Sequence, residues 1–208
     1  LFALPTTINN VETLASVSHI LNRGAEWYKG LCLSNPKSTG TKLISVCGHV
    51  QRPGNYEITM GTPMKDLIFD MCGGMKPGRT LKAVIPGGSS VPIMTAAETE
   101  DCLLDYEGVV ARGSMLGSAG MIVMDDSTDM VYQIWRLARF YAHESCAQCT
   151  QCREGTAWTT KILERILAGK GKAADLDLLL SLSENMTGKT ICVLSDSCAA
   201  PIVSGIAK

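Results

Sequence analysis

Three cysteines recur at every third position in one short polar segment. Cys146, Cys149 and Cys152 stand in the run ESCAQCTQCREGT at 144–156. A loop with this C-x2-C-x2-C spacing can turn three thiolates toward one point, and the spacing is typical of the ligands of a 4Fe-4S cluster. Iron in such clusters is bound by soft, deprotonated sulfur. The pattern therefore predicts an iron–sulfur site whose fourth thiolate comes from elsewhere in the chain.

Two later cysteines could supply the fourth ligand. Cys192 follows two predicted helices that can return the chain to the loop, whereas Cys198 lies at the start of the last predicted helix. The order of elements favours Cys192 and leaves Cys198 open. His143 could also be a ligand, although a supporting or surface position is favoured. Arg153 could stabilise the negative charge of a cluster, or it could be an ordinary solvated charge.

A zinc site made of four thiolates is the competing interpretation. Zinc usually takes its cysteines as two separated C-x2-C pairs, and the three-plus-one arrangement here favours iron–sulfur. The chain has nine cysteines. An odd number argues against a closed disulfide framework and suits a reducing compartment.

Composition limits the class of protein. The 208 residues are 46% hydrophobic and 19% charged, and the formal net charge is −1. These values are typical of a globular protein and do not indicate a nucleic-acid surface. Apolar runs fall far short of the roughly 20 residues of a membrane helix, so we expect neither a nucleic-acid partner nor membrane insertion. Because the chain begins at Leu1 and stops at Lys208 inside a predicted helix, we expect a fragment of a longer polypeptide.

The predicted elements divide the chain into three regions and indicate an α+β fold. Residues 1–39 contain a turn and a helix that Asn9 or Asn10 caps, and a polar loop covers 34–40. Residues 40–125 show strand patterns, a short helix that Thr62 caps and that runs from Pro63 through Met71, and glycine turns. The predicted strands of this region are Lys42–Gly48, Tyr56–Thr59, Ala83–Ile85, Val91–Met94, Val109–Arg112 and Met121–Met124.

Residues 126–208 are predicted to be helical. A first helix capped by Ser127 or Thr128 runs to about His143, and a last helix begins near Ser197. Between them, the apolar period predicts helices over Thr156–Ala168 and Ala174–Asn185.

Two polar or glycine-rich motifs have alternative interpretations. The run TTINNVETL at 6–14 places paired Asn side chains and a Thr at a helix start, where they could bind a phosphate or a polar ring edge. Chemistry alone favours plain capping by Asn9 or Asn10. The stretch Gly113–Gly120 could suggest phosphate binding, but a close-packed turn between strands is favoured.

Four motifs together resemble one known family. NNVETL at 9–14, GSMLG at 113–117, the cysteine run at 144–156 and TIC at 190–192 resemble, in this order, the NADH-binding flavoprotein (51 kDa) subunits of respiratory complex I, the NADH:quinone oxidoreductase. Related subunits occur in NAD-reducing hydrogenases and NAD-linked formate dehydrogenases. The resemblance covers essentially the whole chain.

The resemblance implies a domain for each region and a role for particular residues. Residues 1–39 would close an FMN- and NADH-binding domain, 40–125 would form a β-grasp-like domain of the soluble ligand-binding type, and 126–208 a helical bundle with the cluster. The implied FMN contacts are Asn9, Asn10 and Thr13, and the implied cluster ligands are Cys146, Cys149, Cys152 and Cys192. Cys198 would be a packing residue, and no catalytic residue is assigned.

The resemblance also implies a reaction and partners. Hydride passes from NADH to FMN, and single electrons then enter the 4Fe-4S cluster and continue toward quinone. The implied partners are the 24 kDa-type 2Fe-2S subunit and the large iron–sulfur subunit of the peripheral arm. The subunit would be peripheral, on the cytoplasmic side of a bacterial inner membrane or the matrix side of a mitochondrial one.

Two points qualify this expectation. The glycine-rich FMN loop and the acidic NADH contacts of the family have no counterpart in the sequence, so the chain alone is expected to lack NADH oxidation. The alternatives are a diaphorase subunit of a hydrogenase or formate dehydrogenase, or a zinc-stapled structural module.

Overall fold

The fold combines a mixed sheet with helices on its two sides. The computed structural model describes residues 1–34 and 37–208. Asn35 and Pro36, in the predicted loop at 34–40, lie outside the described residues. Two helices come first, α1 (Val11–Arg23) and α2 (Ala25–Lys29). Across the residues described, no helix has the length and apolar character needed to cross a membrane.

Five strands form the main sheet, in the order β2-β1-β7-β4-β5. The central pair β1 and β7 is parallel, from Ser45 opposite Gly120 to Gly48 opposite Val123, and the other neighbours are antiparallel. A separate pair joins β3 to β6. The strands are β1 (Thr41–Gly48), β2 (Gly54–Thr59), β3 (Thr62–Pro63), β4 (Leu81–Ile85), β5 (Met94–Thr95), β6 (Leu103–Leu104) and β7 (Gly120–Asp125).

The two faces of the sheet bury two apolar cores. Successive side chains of a strand point to opposite faces, so Val84 and Val123 enter one core while Ala83, Ile85 and Met124 enter the other. The second core also contains side chains of the long helices, which are Ile134, Ala138, Tyr141, Ile162, Leu163, Leu179, Cys198 and Ile202. Burial of this shared apolar surface therefore fixes the helices that carry the cysteines against β4 and β7.

Four long helices form the remainder of the chain. They are α5 (Met130–Glu144), α6 (Thr150–Arg165), α7 (Ala174–Met186) and α8 (Leu194–Ala207), and a π-helical segment, Ile166–Lys170, extends α6. The predicted cap of α5 at Ser127 or Thr128 is wrong, because Asp129 accepts the Tyr132 N–H at 3.1 Å. The Ser127 hydroxyl instead donates to Asp125 at 2.6 Å.

Two other helix starts were predicted too late. Helix α6 begins at Thr150 and not at Thr156, and α8 begins at Leu194 and not near Ser197. Cys152 consequently lies in the first turn of α6 and not in the loop before it. The apolar period is a weak guide at these positions because polar and small residues occupy the first turns of both helices.

The sheet region contains two short helices, α3 (Ala96–Glu100) and α4 (Tyr106–Ala111), and a π-helical segment, Asp66–Met71. The predicted strand Val109–Arg112 is wrong, because Val109 lies in α4, which Asp105 caps by accepting the Gly108 N–H. A short apolar run does not distinguish a strand from a buried helix. The helix start predicted at Pro63, with Thr62 as its cap, is too early, because both residues pair with β6.

The predicted strand Val91–Met94 is only partly correct, because β5 begins at Met94. The Ile93 N–H donates to the Ser204 hydroxyl of α8 at 2.9 Å. This peptide group therefore bonds to a helix and not to a strand of the sheet.

Two glycine turns pack backbone against backbone beside the sheet. The Ser118 N–H donates to the Gly87 carbonyl at 3.1 Å, and a Cβ at Gly117 would stand 2.3 Å from that same oxygen. The stretch at 113–120 is close-packed, as expected, although it joins α4 to β7 and not two strands.

Acid is expected to weaken the start of α7. Buried Asp175 accepts from Arg165 Nε at 3.2 Å and from the Lys172 N–H at 2.9 Å, and these partners, Arg165 first, lower its pKa. A lowered pKa in the folded state stabilises the fold above the unfolded value of about 3.9, and this stabilisation is lost as the pH falls through the folded value. Asp175→Asn should therefore lower the free energy of unfolding near neutral pH.

Urea denaturation across pH tests this expectation. The gap in unfolding free energy between the wild type and Asp175→Asn should narrow below about pH 4, since the wild-type carboxyl is then progressively protonated. A gap that stays constant from neutral pH into acid would contradict it.

Candidate iron–sulfur site

The first three cysteines lie at the junction of α5 and α6. Cys146 and Cys149 stand in the connecting loop, and Cys152 lies in the first turn of α6. Within the loop Ala147 has a left-handed backbone with φ of 62°, and its N–H donates to the Ser145 hydroxyl at 3.3 Å. This conformation is uncommon for a residue with a side chain. It bends the backbone between Cys146 and Cys149.

The segment that carries Cys192 reaches this loop. The Ile191 N–H lies 3.4 Å from Cys149 Sγ, in hydrogen-bonding geometry. Two further hydrogen bonds stabilise this segment and its surroundings. Thr190 Oγ1 donates to the Cys192 carbonyl at 2.7 Å, and Ser195 Oγ donates to the Met186 carbonyl at 3.2 Å. The fold therefore brings residues 190–192 to the cysteine loop, although 42 positions separate Ile191 from Cys149.

Burial distinguishes the other two cysteines near the site. Cys152 is 7% exposed, and its Sγ lies 3.3 Å from the Ser145 hydroxyl. Cys198 is fully buried in the core under the sheet, and this burial, with Cys152 nearby, raises the pKa of its thiol to about 12. At neutral pH Cys198 is thus a protonated packing residue, whereas Cys192 is exposed.

The described contacts bring some predicted ligands together but not all of them. They join Cys149 to the 190–192 segment and Cys152 to Ser145, and they do not connect the sulfurs of Cys146 and Cys192 to either. Within residues 1–34 and 37–208, no three side chains of His, Cys, Asp or Glu are placed to hold a single metal ion. A 4Fe-4S cluster differs from a single ion, because each thiolate binds a different iron atom.

Positive charge and peptide dipoles lie next to the cysteine loop. Cys149 is the N-cap residue of α6, so the positive end of that helix dipole begins among the predicted ligands. Arg153 Nη1 donates to the Ala147 carbonyl at 2.8 Å, and its Nε donates to Glu154 at 3.0 Å. Arg153 is therefore not a free solvated charge, since it braces the left-handed turn between two cysteines. Thiols at the junction of α5 and α6 and in the 190–192 segment, beside these groups, suit the negative charge of an iron–sulfur cluster.

The amino-terminal motif caps a helix, as its chemistry predicts. Asn10 Oδ1 accepts from the Glu12 N–H at 2.9 Å and from the Thr13 N–H at 3.3 Å. The side chains of Asn9 and Thr13 are exposed beside this cap. The amides of Asn9 and Asn10, the Thr13 hydroxyl and the first turn of α1 form a donor-rich set, which fits the polar ring edge or the phosphate of FMN.

Sequence reasoning missed one contact of this motif. Glu12 Oε2 lies 2.6 Å from Lys42 Nζ, and Oε1 accepts the Leu43 N–H at 2.9 Å. The bond from Lys42 holds the pKa of the Glu12 carboxyl below its usual range. Pattern rules find charge pairs only three or four residues apart in a helix, so no local signal could have indicated a pair separated by 30 positions.

Two family models match consecutive parts of the chain. Residues 132–208 match the NADH-ubiquinone oxidoreductase-F iron–sulfur binding region, and residues 42–132 match the SLBB domain. The first match contains all four predicted cysteine ligands, and it supports a 4Fe-4S cluster as the cofactor.

Curated relatives and solved structures agree with these matches. The chain is 48% identical to one of the NADH-quinone oxidoreductase F subunits of Rhizobium meliloti (strain 1021), over 97% of this chain and 46% of that protein. It is also 48% identical to the corresponding F subunit of Streptomyces coelicolor, over 99% of this chain and 45% of that protein. A crystal structure of an air-oxidized NAD+-reducing [NiFe]-hydrogenase superposes with a TM-score of 0.82 at 35% identity, over 98% of this chain and 34% of that chain.

The matches cover only part of each relative. The chain spans about half the length of the curated relatives that it matches. Within that span, the similarity is continuous through the sheet and the cysteine-bearing helices. The chain therefore belongs to the family of NADH-quinone oxidoreductase F subunits and carries that family's iron–sulfur binding region.

Proposed function

We propose that this chain is the electron-accepting part of a subunit of NADH:quinone oxidoreductase. In this proposal Cys146, Cys149, Cys152 and Cys192 hold a 4Fe-4S cluster that takes single electrons originating from NADH by way of FMN. The observation that carries the proposal is the bond from the Ile191 N–H to Cys149 Sγ, because it sets the TIC segment beside the three-cysteine loop. A bound cluster would supply one-electron redox chemistry.

The chain's own residues supply ligands and a compensating field. Thiolates are the anionic ligands that the cluster requires. The amino terminus of α6 and the guanidinium of Arg153 oppose the resulting negative charge, and N–H donors to cluster ligands raise a reduction potential. The Ile191 N–H is such a donor for Cys149.

We place the flavin contact at the start of α1. Asn9, Asn10 and Thr13 would donate hydrogen bonds to FMN, and NADH would be the hydride donor to that flavin. This agrees with a division into residues 1–39, which close the FMN- and NADH-binding domain, a β-grasp-like domain at 40–125, and a helical cluster-binding bundle at 126–208. The change from sheet to long helices after Asp125 supports the last boundary.

Partner subunits would cover the exposed side of the cluster. Ile191 and Val193, on either side of Cys192, are 85% and 73% exposed. Exposed apolar side chains beside a redox centre suit a protein interface. The proposed partners are the 24 kDa-type 2Fe-2S subunit and the large iron–sulfur subunit, in a peripheral arm on the cytoplasmic or matrix side of the membrane.

A second candidate keeps the chemistry and changes the complex. The likeness to an NAD+-reducing [NiFe]-hydrogenase is compatible with a diaphorase subunit of a hydrogenase, and a diaphorase subunit of a formate dehydrogenase is the related alternative. Purification of the native complex distinguishes these functions, because hydrogenase or formate dehydrogenase subunits would accompany the protein in place of quinone-reducing ones.

Spectroscopy of the native protein tests the proposed cofactor. Purified without oxygen, it should be brown, contain about four iron and four acid-labile sulfide per cluster site, and lose visible absorption when dithionite is added. Zinc in a colourless protein would establish the structural alternative and reject electron transfer.

A further inference from the structure

We infer that Glu12 is a positioning residue for the flavin, because its carboxylate clamps the first turn of α1 to strand β1. This inference rests on the proposed contact of Asn9, Asn10 and Thr13 with FMN. It adds that the turn is held in place by a side chain that bonds to strand β1.

The clamp is made of two hydrogen bonds on one carboxylate. Glu12 Oε2 pairs with Lys42 Nζ at 2.6 Å, while Oε1 accepts the backbone N–H of Leu43 at 2.9 Å. Both partners belong to β1, so the bonds cross from the helix to the sheet. The two side chains are only 21% and 30% exposed, for Lys42 and Glu12 respectively, and partial burial reduces screening by solvent.

Apolar packing within the described part of the chain does not provide the same constraint. Helix α1 has no buried residue, and its side chains Val11, Leu14 and Leu21 are 79%, 54% and 80% exposed. Two clefts, of about 360 and 670 Å³, lie along the helix, and Glu12 and Ser16 line both of them. The polar contact at Glu12 therefore carries the alignment of α1 with β1.

The position of Glu12 in the turn links this clamp to the flavin groups. Asn10 accepts the N–H groups of Glu12 and Thr13, so these three residues move as one hydrogen-bonded unit. A loss of the clamp would let the whole unit shift, and binding groups that are no longer preorganised lose affinity.

The experiment measures FMN dissociation from the native holoprotein, by the fluorescence of released flavin. Glu12→Gln and Lys42→Ala should each raise the dissociation constant about tenfold, the equivalent of one lost charge-assisted hydrogen bond, whereas Lys42→Arg should restore most of the affinity. Glu26→Gln is the matched control, since the Glu26–Lys29 pair on α2 is 88% and 64% exposed at its two side chains. It should leave FMN affinity unchanged.

Two further readouts and one further variant separate positioning from other effects. Iron content should stay at the wild-type level in every variant, and amide hydrogen exchange of Thr13 and Leu14 should accelerate only when the clamp is broken. If Asn9→Ala leaves FMN affinity unchanged, the proposed flavin contact is wrong. If Asn9→Ala weakens FMN while Glu12→Gln and Lys42→Ala do not, the flavin contact stands and the clamp is rejected.

Discussion

Serine at position 192 should abolish the cluster, whereas serine at position 198 should leave it in place. Cys192 follows Ile191, whose N–H reaches Cys149 Sγ at 3.4 Å, and the Cys192 side chain is exposed. Cys198 is fully buried among apolar side chains. A serine hydroxyl is a poor substitute for thiolate because iron–sulfur clusters require soft, deprotonated sulfur. Iron, acid-labile sulfide and visible absorption of the two variants measure the difference.

Of the two variants, Cys198→Ser should lose more unfolding free energy than Cys192→Ser, although it keeps the cluster. Cys198→Ser places a hydroxyl in an apolar core and should cost about 1–3 kcal/mol of unfolding free energy, yet retain wild-type iron. Cys47→Ser on strand β1 serves as the control, since Cys47 is exposed. The ligand assignment fails if Cys198→Ser is the colourless variant and Cys192→Ser keeps its iron.

A methyl group at position 48 should be among the most costly single changes in the sheet. Gly48 ends the parallel pairing of β1 with β7, with φ of 95°, and a Cβ there would stand 2.1 Å from the Val123 carbonyl oxygen. Backbone strain costs about 1–3 kcal/mol and overpacking a similar amount. Gly48→Ala should therefore lower the free energy of unfolding by about 3 kcal/mol or more, measured by urea denaturation.

Gly78→Ala isolates the steric part of this effect. Gly78 has a similar φ of 79°, but a Cβ there would meet nothing within 4 Å. It should cost only the left-handed strain, about 1–2 kcal/mol. Equal losses in the two variants would mean that the clash with Val123 is relieved by a small shift of the strands. Because the chain passes from β7 into α5, strain in β7 from this clash would also disturb α5, which leads into the cysteine loop.

Local sequence signals were sufficient where neighbouring residues decide the structure. The cap at Asn10 and the alternation of β1 depend on contacts within a turn or a strand. The C-x2-C-x2-C spacing likewise predicted a metal-binding loop from residues only six positions apart. The same signals misassigned Val109, because a short apolar run lacks the period that separates helix from strand.

Other features depended on parts of the chain that meet only after folding. Burial separated Cys198 from Cys192, although both stand near the start of the last helix in the sequence. The contact of the Ile191 N–H with Cys149 and the clamp from Glu12 to Lys42 also arise from tertiary geometry. The cysteine spacing by itself determined what chemistry the loop can perform, since ligand type is a property of the residues. Only the tertiary structure decided which distant groups surround that loop, because desolvation and long-range hydrogen bonds are set by packing and not by separation along the chain.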